Sequence, residues 1–240
     1  MIPYILLEMR RTLRDPSYLV FGAGMPVMMY LLFTNLGGGG DSDDWKALSM
    51  VGMAAYGALG SSMGIGTGIA ADKSLGWLRQ LRITPLSQGR AVAGRAVSGS
   101  VTVLPAVLAV LLSGALVNGV RLEIWQWASL VVLLWAGALP FTLLGIGNGY
   151  RLTPQATGVV NVACLTGFAV IGGLWFPLDL FPEWLRDVGE FTPAYGFSGL
   201  GRSVIAGDPP AFGSTAVLGV WLVLFGLYAA VSYRRSARTV

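Results

Sequence analysis

The sequence predicts an all-α membrane protein of six transmembrane helices. An N-terminal helix lies in the membrane surface, and an external re-entrant helical hairpin stands between spans five and six. Three observations predict this. Charged residues make up only 12% of the 240 residues, about half the usual fraction and too few to cover a soluble domain. Uncharged runs of 25 to 27 residues extend over 16–40, 47–71, 96–120, 124–150, 152–178 and 209–233. At about 1.5 Å of rise per residue each makes a helix of roughly 37 Å, enough to cross a ~30 Å hydrocarbon core with some tilt. Finally, twelve of the 16 cations fall on the side of the two termini, whereas nine of the 12 acids fall on the other. Excess Lys and Arg mark the cytoplasmic side, so both termini are expected inside. The net charge of +4 reflects this topology rather than nucleic-acid binding.

The whole chain, 1–240, reads as one domain. Its spans are expected near 17–36, 47–71, 96–118, 125–149, 155–176 and 211–233, with a cytoplasmic loop at 72–95 and an external hairpin at 177–207. Before the first span, Ile2, Ile5, Leu6, Met9 and Leu13 recur at helical spacing while Arg10, Arg11 and Arg14 fall on other faces. That pattern suits a helix lying at the lipid headgroups. Pro16 disfavours helical geometry at Asp15 and marks the bend into the first span. A signal peptide has a shorter apolar core and a small-residue cleavage site, whereas this first run passes into GGGGDSDD. Asp41, Asp43 and Asp44 in that loop are too few and too unevenly spaced for a calcium site.

In the second span Gly60, Gly64 and Gly68 share one face at four-residue spacing, and Gly145 and Gly149 do the same in the fourth. Such faces permit close backbone approach, either between subunits or within one. Thr157 and Asn161 share a face of the fifth span, fit either to line a substrate path or to hydrogen-bond between helices. Cys164 is the one cysteine, inside an apolar run, which leaves it a small buried hydrophobe. After the fifth span, Asp179, Glu183, Asp187 and Glu190 recur beside Leu180, Trp184, Val188 and Phe191, as expected of an amphipathic external helix. Residues 194–205 are too short to cross and hold Arg202. They suit a half-penetrating return helix packed against protein, or a surface loop.

Missing residue types exclude several chemistries. The chain has no histidine, which removes most zinc, haem and triad chemistry. No span holds a carboxylate, lysine or arginine of the kind that ion-coupled carriers retain. Lys46 and Lys73 follow Trp45 and Asp72, so no Gly-Lys phosphate loop exists. No metal site, catalytic set or bound cofactor is expected. What remains is a membrane domain without an energy source of its own.

The segment GWLRQLRITPLS, Gly76 to Ser87, interrupts this apolar chain with a basic amphipathic helix. Leu75, Leu78 and Leu81 align on one face with Trp77 nearby, Arg79 and Arg82 align on another, and Pro85 ends the helix. Both a cleft on a soluble subunit and an anionic lipid surface satisfy this pattern.

The segment resembles the Gly-Thr-Leu-Arg-x-Leu-x-x-Thr-Pro-Leu-Ser loop of the membrane subunits of type-2 ATP-binding-cassette (ABC) exporters. Pro177, Pro182, Trp184 and Leu185, then Thr192-Pro193 and Arg202, are similar to that family's external re-entrant hairpin. The resemblance covers the chain in order, from surface helix to last span. It departs where the family usually carries glutamates before the loop, here Asp72 and Ser74, and where its threonine is Trp77. The resemblance implies a non-enzymatic permease subunit of a bacterial drug-resistance or lipid exporter. Such a subunit is multi-pass in the plasma (inner) membrane and paired with a second, identical or paralogous, permease subunit. It implies two copies of an ABC ATPase subunit that bind ATP and Mg and dock on Leu75, Trp77, Leu78, Arg79, Leu81, Arg82, Thr84, Pro85 and Leu86. It also implies efflux and a part in antibiotic resistance. The competing classes are a passive channel or self-sufficient carrier, a membrane-embedded enzyme, and a membrane scaffold or immunity-type protein.

Overall fold

The computed structural model describes residues 14, 18–35, 42–74 and 99–238, and every regular element among them is helical. A π-helical segment, Tyr18–Gly24, runs into α1, Met25–Asn35. Pro26 accounts for the wide turns, because it has no N–H for the carbonyl four residues back and its ring crowds that carbonyl. The helices that follow are α2 (Asp43–Ser74), α3 (Val103–Leu116), α4 (Ile124–Gly137), α5 (Leu139–Arg151) and α6 (Pro154–Ile171). A 3-10 turn at Leu178–Leu180 then leads to α7 (Glu183–Glu190), α8 (Pro193–Ala206) and α9 (Phe212–Arg238).

Among the described residues five helical runs are long and apolar enough to cross a membrane. They are α2, α3 extended back to Gly99, α4 continued by α5 as Ile124–Arg151, α6, and α9 as far as Ser236. The chain is therefore a multi-pass helical membrane protein. The expected first span, 17–36, consists of the π-helical segment and the 11-residue α1, and neither piece alone reaches spanning length. The surface helix expected before it lies outside the described residues except for Arg14.

Helix α2 is the hub. It packs against α1, α3, α5, α6 and α8, and residues 47–59 are buried except Leu48. A helix can take so many neighbours only if its own surface is slim, and α2 is rich in Gly, Ala and Ser. Its first turn carries Asp43 and Asp44 and its last turn Lys73, each sign matching the helix dipole. Around it the core gathers Tyr30, Met50, Leu59, Leu130, Leu134, Phe141 and Phe197, all fully buried. Phe141 contacts Phe168 edge-on and Phe197 in a tilted stack, with centroids 5.7 and 5.5 Å apart, in the range that favours aromatic pairs. Of the five long apolar runs, α6 and α9 bury the least and present Val159, Val162, Val220, Val223 and Leu227 outward. Such a surface suits lipid or another membrane helix.

Residues 193–206 form a true helix, not a surface loop. Thr192 caps α8 by accepting from the Tyr195 N–H at 3.3 Å. Gly207 closes it in the left-handed region at φ 79°, where a side chain would be strained. Most of α8 is buried, against α9, α4, α2 and α6. Gln126 fastens it further: its Nε2 donates to the Val204 carbonyl at 2.9 Å, and its Oε1 accepts from the Glu123 N–H at 2.9 Å.

The amphipathic helix expected to begin at Asp179 is interrupted. Asp179 and Leu180 belong to the 3-10 turn, and α7 begins only at Glu183. Pro182 is the reason: it forces Phe181 into extended geometry, φ −98° and ψ 158°, and then serves as the N-cap. Leu180, Trp184 and Phe191 keep 73%, 67% and 75% of their surface exposed, so among the described residues none covers this apolar face of the hairpin.

Candidate functional site

The site expectations concern the cytoplasmic loop, two polar residues in α6, the glycine face of α2 and the hairpin. Residues 75–98, which include Leu75, Trp77, Leu78, Arg79, Leu81, Arg82, Thr84, Pro85 and Leu86, lie outside the described residues. The foot of that loop is described. The Lys73 ammonium donates to the carbonyls of Tyr150 and Leu152, both at 2.9 Å. These acceptors end α5, where carbonyls lack helical partners and the dipole is negative. Tyr150 in turn meets Tyr233 of α9 edge-on, with centroids 4.9 Å apart. The loop thus leaves the bundle where the ends of α2, α5 and α9 converge. The sequence held one signal for this role, a cation in the last turn of a long apolar helix.

Thr157 and Asn161 face the interior of the chain. The Asn161 Nδ2 donates to the Met63 carbonyl at 2.7 Å, and its Oδ1 accepts from the Asn148 Nδ2 at 2.9 Å. The Asn148 Oδ1 accepts from the Tyr228 hydroxyl at 2.9 Å. Thr157, fully buried, donates to the Thr153 carbonyl at 2.8 Å. One polar chain therefore ties α2, α6, α5 and α9, and both Asn161 amide groups are engaged within it. Membrane helix bonds of this type contribute about 0.6 kcal/mol each on average. Asn148 and Tyr228 were not distinguishable as partners in the sequence, because helix spacing reports a residue's face and not its neighbour.

The glycines divide by face. Gly60 stands near Leu165, at 3.5 Å from where a Cβ would lie, while Gly64 and Gly68 face open space. The close approach is at Gly66, which lies against Gly145 and Gly149 backbone to backbone. A Cβ on Gly145 would stand 2.9 Å from the Met63 Cα, and one on Gly149 would be 3.0 Å from the Gly66 carbonyl carbon. Gly145 and Gly149 thus pack inside the chain, whereas the face of Gly64 and Gly68 is left open beside the largely exposed α6.

In the hairpin, Pro177 begins the 3-10 turn, Pro182 begins α7, and Trp184 is exposed. Arg202 of α8 stacks its guanidinium 4.6 Å from the centre of the Tyr195 ring. Burial lowers its pKa from the ordinary value, with Tyr195 and Asp179 acting the other way, and a guanidinium so placed remains charged.

Two comparisons bear on this arrangement. The family model described as "ABC-2 type transporter" matches residues 5–204. A protein of Bacillus subtilis (strain 168) named "Putative transport permease YvfS" is 28% identical over 226 residues, covering 92% of each chain.

Proposed function

This chain belongs to the ABC-2 type transporter family and is a transport permease subunit, and from that premise we propose that it forms the path of an ATP-driven exporter. In this reading a separate ATPase subunit, present in two copies, binds ATP and Mg, and this chain binds neither. The loop at 72–95 receives the work, with Leu75, Leu78 and Leu81 as the apolar anchor and Arg79 and Arg82 as its basic edge. Lys73 carries the reading: its two bonds join the foot of that loop to the end of α5, so a push on the loop reaches the bundle through helix ends rather than a slack tether.

The outward face of α2 at Gly64 and Gly68, with the exposed flank of α6, serves as the seam to a second permease subunit. Small residues let backbones approach there. The path runs along this seam. The asparagine chain around Asn161 holds the cytoplasmic halves of four helices as one body, so Thr157 and Asn161 act behind the path rather than on its surface. The π-helical segment and α1 complete a sixth span, and α7 with α8 form the re-entrant hairpin at the outer face.

The test of partnership is affinity purification of the tagged chain from its native membranes, which should bring an ABC ATPase with it in equal amount. Purification without an ATPase under conditions that keep the chain folded would favour the scaffold reading.

The proposed orientation has both termini in the cytoplasm of a bacterial inner membrane. In a background where Cys164 is serine, Asp41→Cys should react with an impermeant maleimide from outside intact cells. Arg79→Cys should react only after the membrane is opened. The reverse pattern would overturn the orientation.

A further inference from the structure

At the hairpin end of the bundle lies a cavity of 240 Å³, bounded by the first turns of α2, the turn after α6, α7 and α8. Two donors in its wall lack acceptors. Arg202 stacks on Tyr195, and among the described residues it makes no ion pair. Its planar fork carries five N–H donors. Trp175 lines the same cavity, and its indole Nε1 is buried without a hydrogen-bond partner. An unmet buried donor such as the Trp175 indole is costly unless something supplies an acceptor, and the half-buried Arg202 guanidinium in the same wall also donates to oxygen.

The carboxylates nearby do not serve. Asp179 pairs with Arg186 at 3.8 Å and leaves 86% of its side chain exposed, and Glu190 is exposed as well. Positive charge is thus deep and negative charge is at the rim. A singly charged oxyanion, with or without an ammonium group, fits this gradient better than a dianion. The volume falls below the roughly 300–1,000 Å³ of sites for whole drug-sized ligands, so the cavity takes part of a larger molecule. Trp45 and Phe176 line it too, next to the exposed Leu180 and Trp184, as is usual for side chains at the level of lipid headgroups.

We propose that this cavity binds a phosphodiester, the headgroup of a phospholipid, with the Arg202 fork on its non-bridging oxygens and the Trp175 indole as a further donor. An Arg fork matches two phosphate oxygens at once. The site goes beyond the export reading, because it requires neither an ATPase nor transport.

The experiment uses the full chain in detergent, titrated with dihexanoyl phosphatidylethanolamine and read by native mass spectrometry. Dihexanoyl glycerol, with the same chains and no phosphate, and inorganic phosphate are the comparison arms. The phosphodiester should bind, the phosphate-free glyceride should not, and inorganic phosphate should fail to displace the lipid. Arg202→Gln should weaken lipid binding at least about tenfold, as expected for losing a charge-assisted bond. Arg202→Lys should fall between. Trp175→Phe keeps the ring and removes the donor, so it should weaken binding several-fold even if Arg202→Gln fails to fold. Equal binding of the glyceride, displacement by inorganic phosphate, or undiminished lipid binding by Trp175→Phe and folded Arg202→Gln would overturn the proposal.

Discussion

Replacing Gly66 with valine is expected to prevent the chain from accumulating as a folded membrane protein, the largest single-residue effect on stability in this molecule. A Cβ there would sit inside the van der Waals envelope of the Gly145 carbonyl, and one on Gly149 would meet the Gly66 carbonyl in return. Both sides of the contact are backbone. No rotamer change relieves it, so the two most deeply engaged helices, α2 and α5, must separate along their length. Overpacking against movable side chains typically costs 1–3 kcal/mol, and this contact belongs at or above about 3 kcal/mol. Gly64→Val is the control on the same helix, since nothing lies within 4 Å of its missing Cβ. It should leave the melting temperature of the isolated chain nearly unchanged while weakening association between copies or with a paralogue. A thermal melt in detergent decides: a stable Gly66→Val protein, or a Gly64→Val protein equally destabilised, would contradict the packing described.

The second large effect is functional. Leu78→Asp combined with Leu81→Asp should release the ATPase from membranes while this subunit stays inserted. Central apolar anchors of an interface typically contribute 2 kcal/mol or more each, so the pair should weaken docking by roughly 10³-fold. The spans expected from the sequence, 47–71 and 96–118, leave these positions out, and insertion should therefore survive. Co-purification measured against the unchanged chain checks it. An ATPase that remains bound would remove the docking role from this segment.

Five of the six expected spans were readable because charge is costly in hydrocarbon, and long uncharged runs such as 124–150 survive as the helical run Ile124–Arg151. The break between α4 and α5 was not, because Pro140 sits one residue beyond Leu139, where a helix restarts without interrupting the apolar pattern. Pro26 likewise widens the first helix into π geometry without adding a charge. In the hairpin, periodicity ran through Asp179 and Leu180, yet Pro182 outweighed it locally. The glycine faces show a different limit. Four-residue spacing identified Gly60, Gly64 and Gly68 as one face, but it is another glycine of α2, Gly66, that stands on the face that meets α5. Which face is packed depends on a partner far away in sequence. The same holds for Asn161, whose side was legible and whose bonds to Met63 and Asn148 were not.

The central claim is that this permease does no work by itself. The direct measurement is solute flux into inside-out proteoliposomes containing this chain, its second permease subunit if distinct, and the ATPase, with and without ATP. Accumulation against a gradient should require both ATPase and ATP and vanish when either is left out. Accumulation against a gradient by this chain alone would contradict the account.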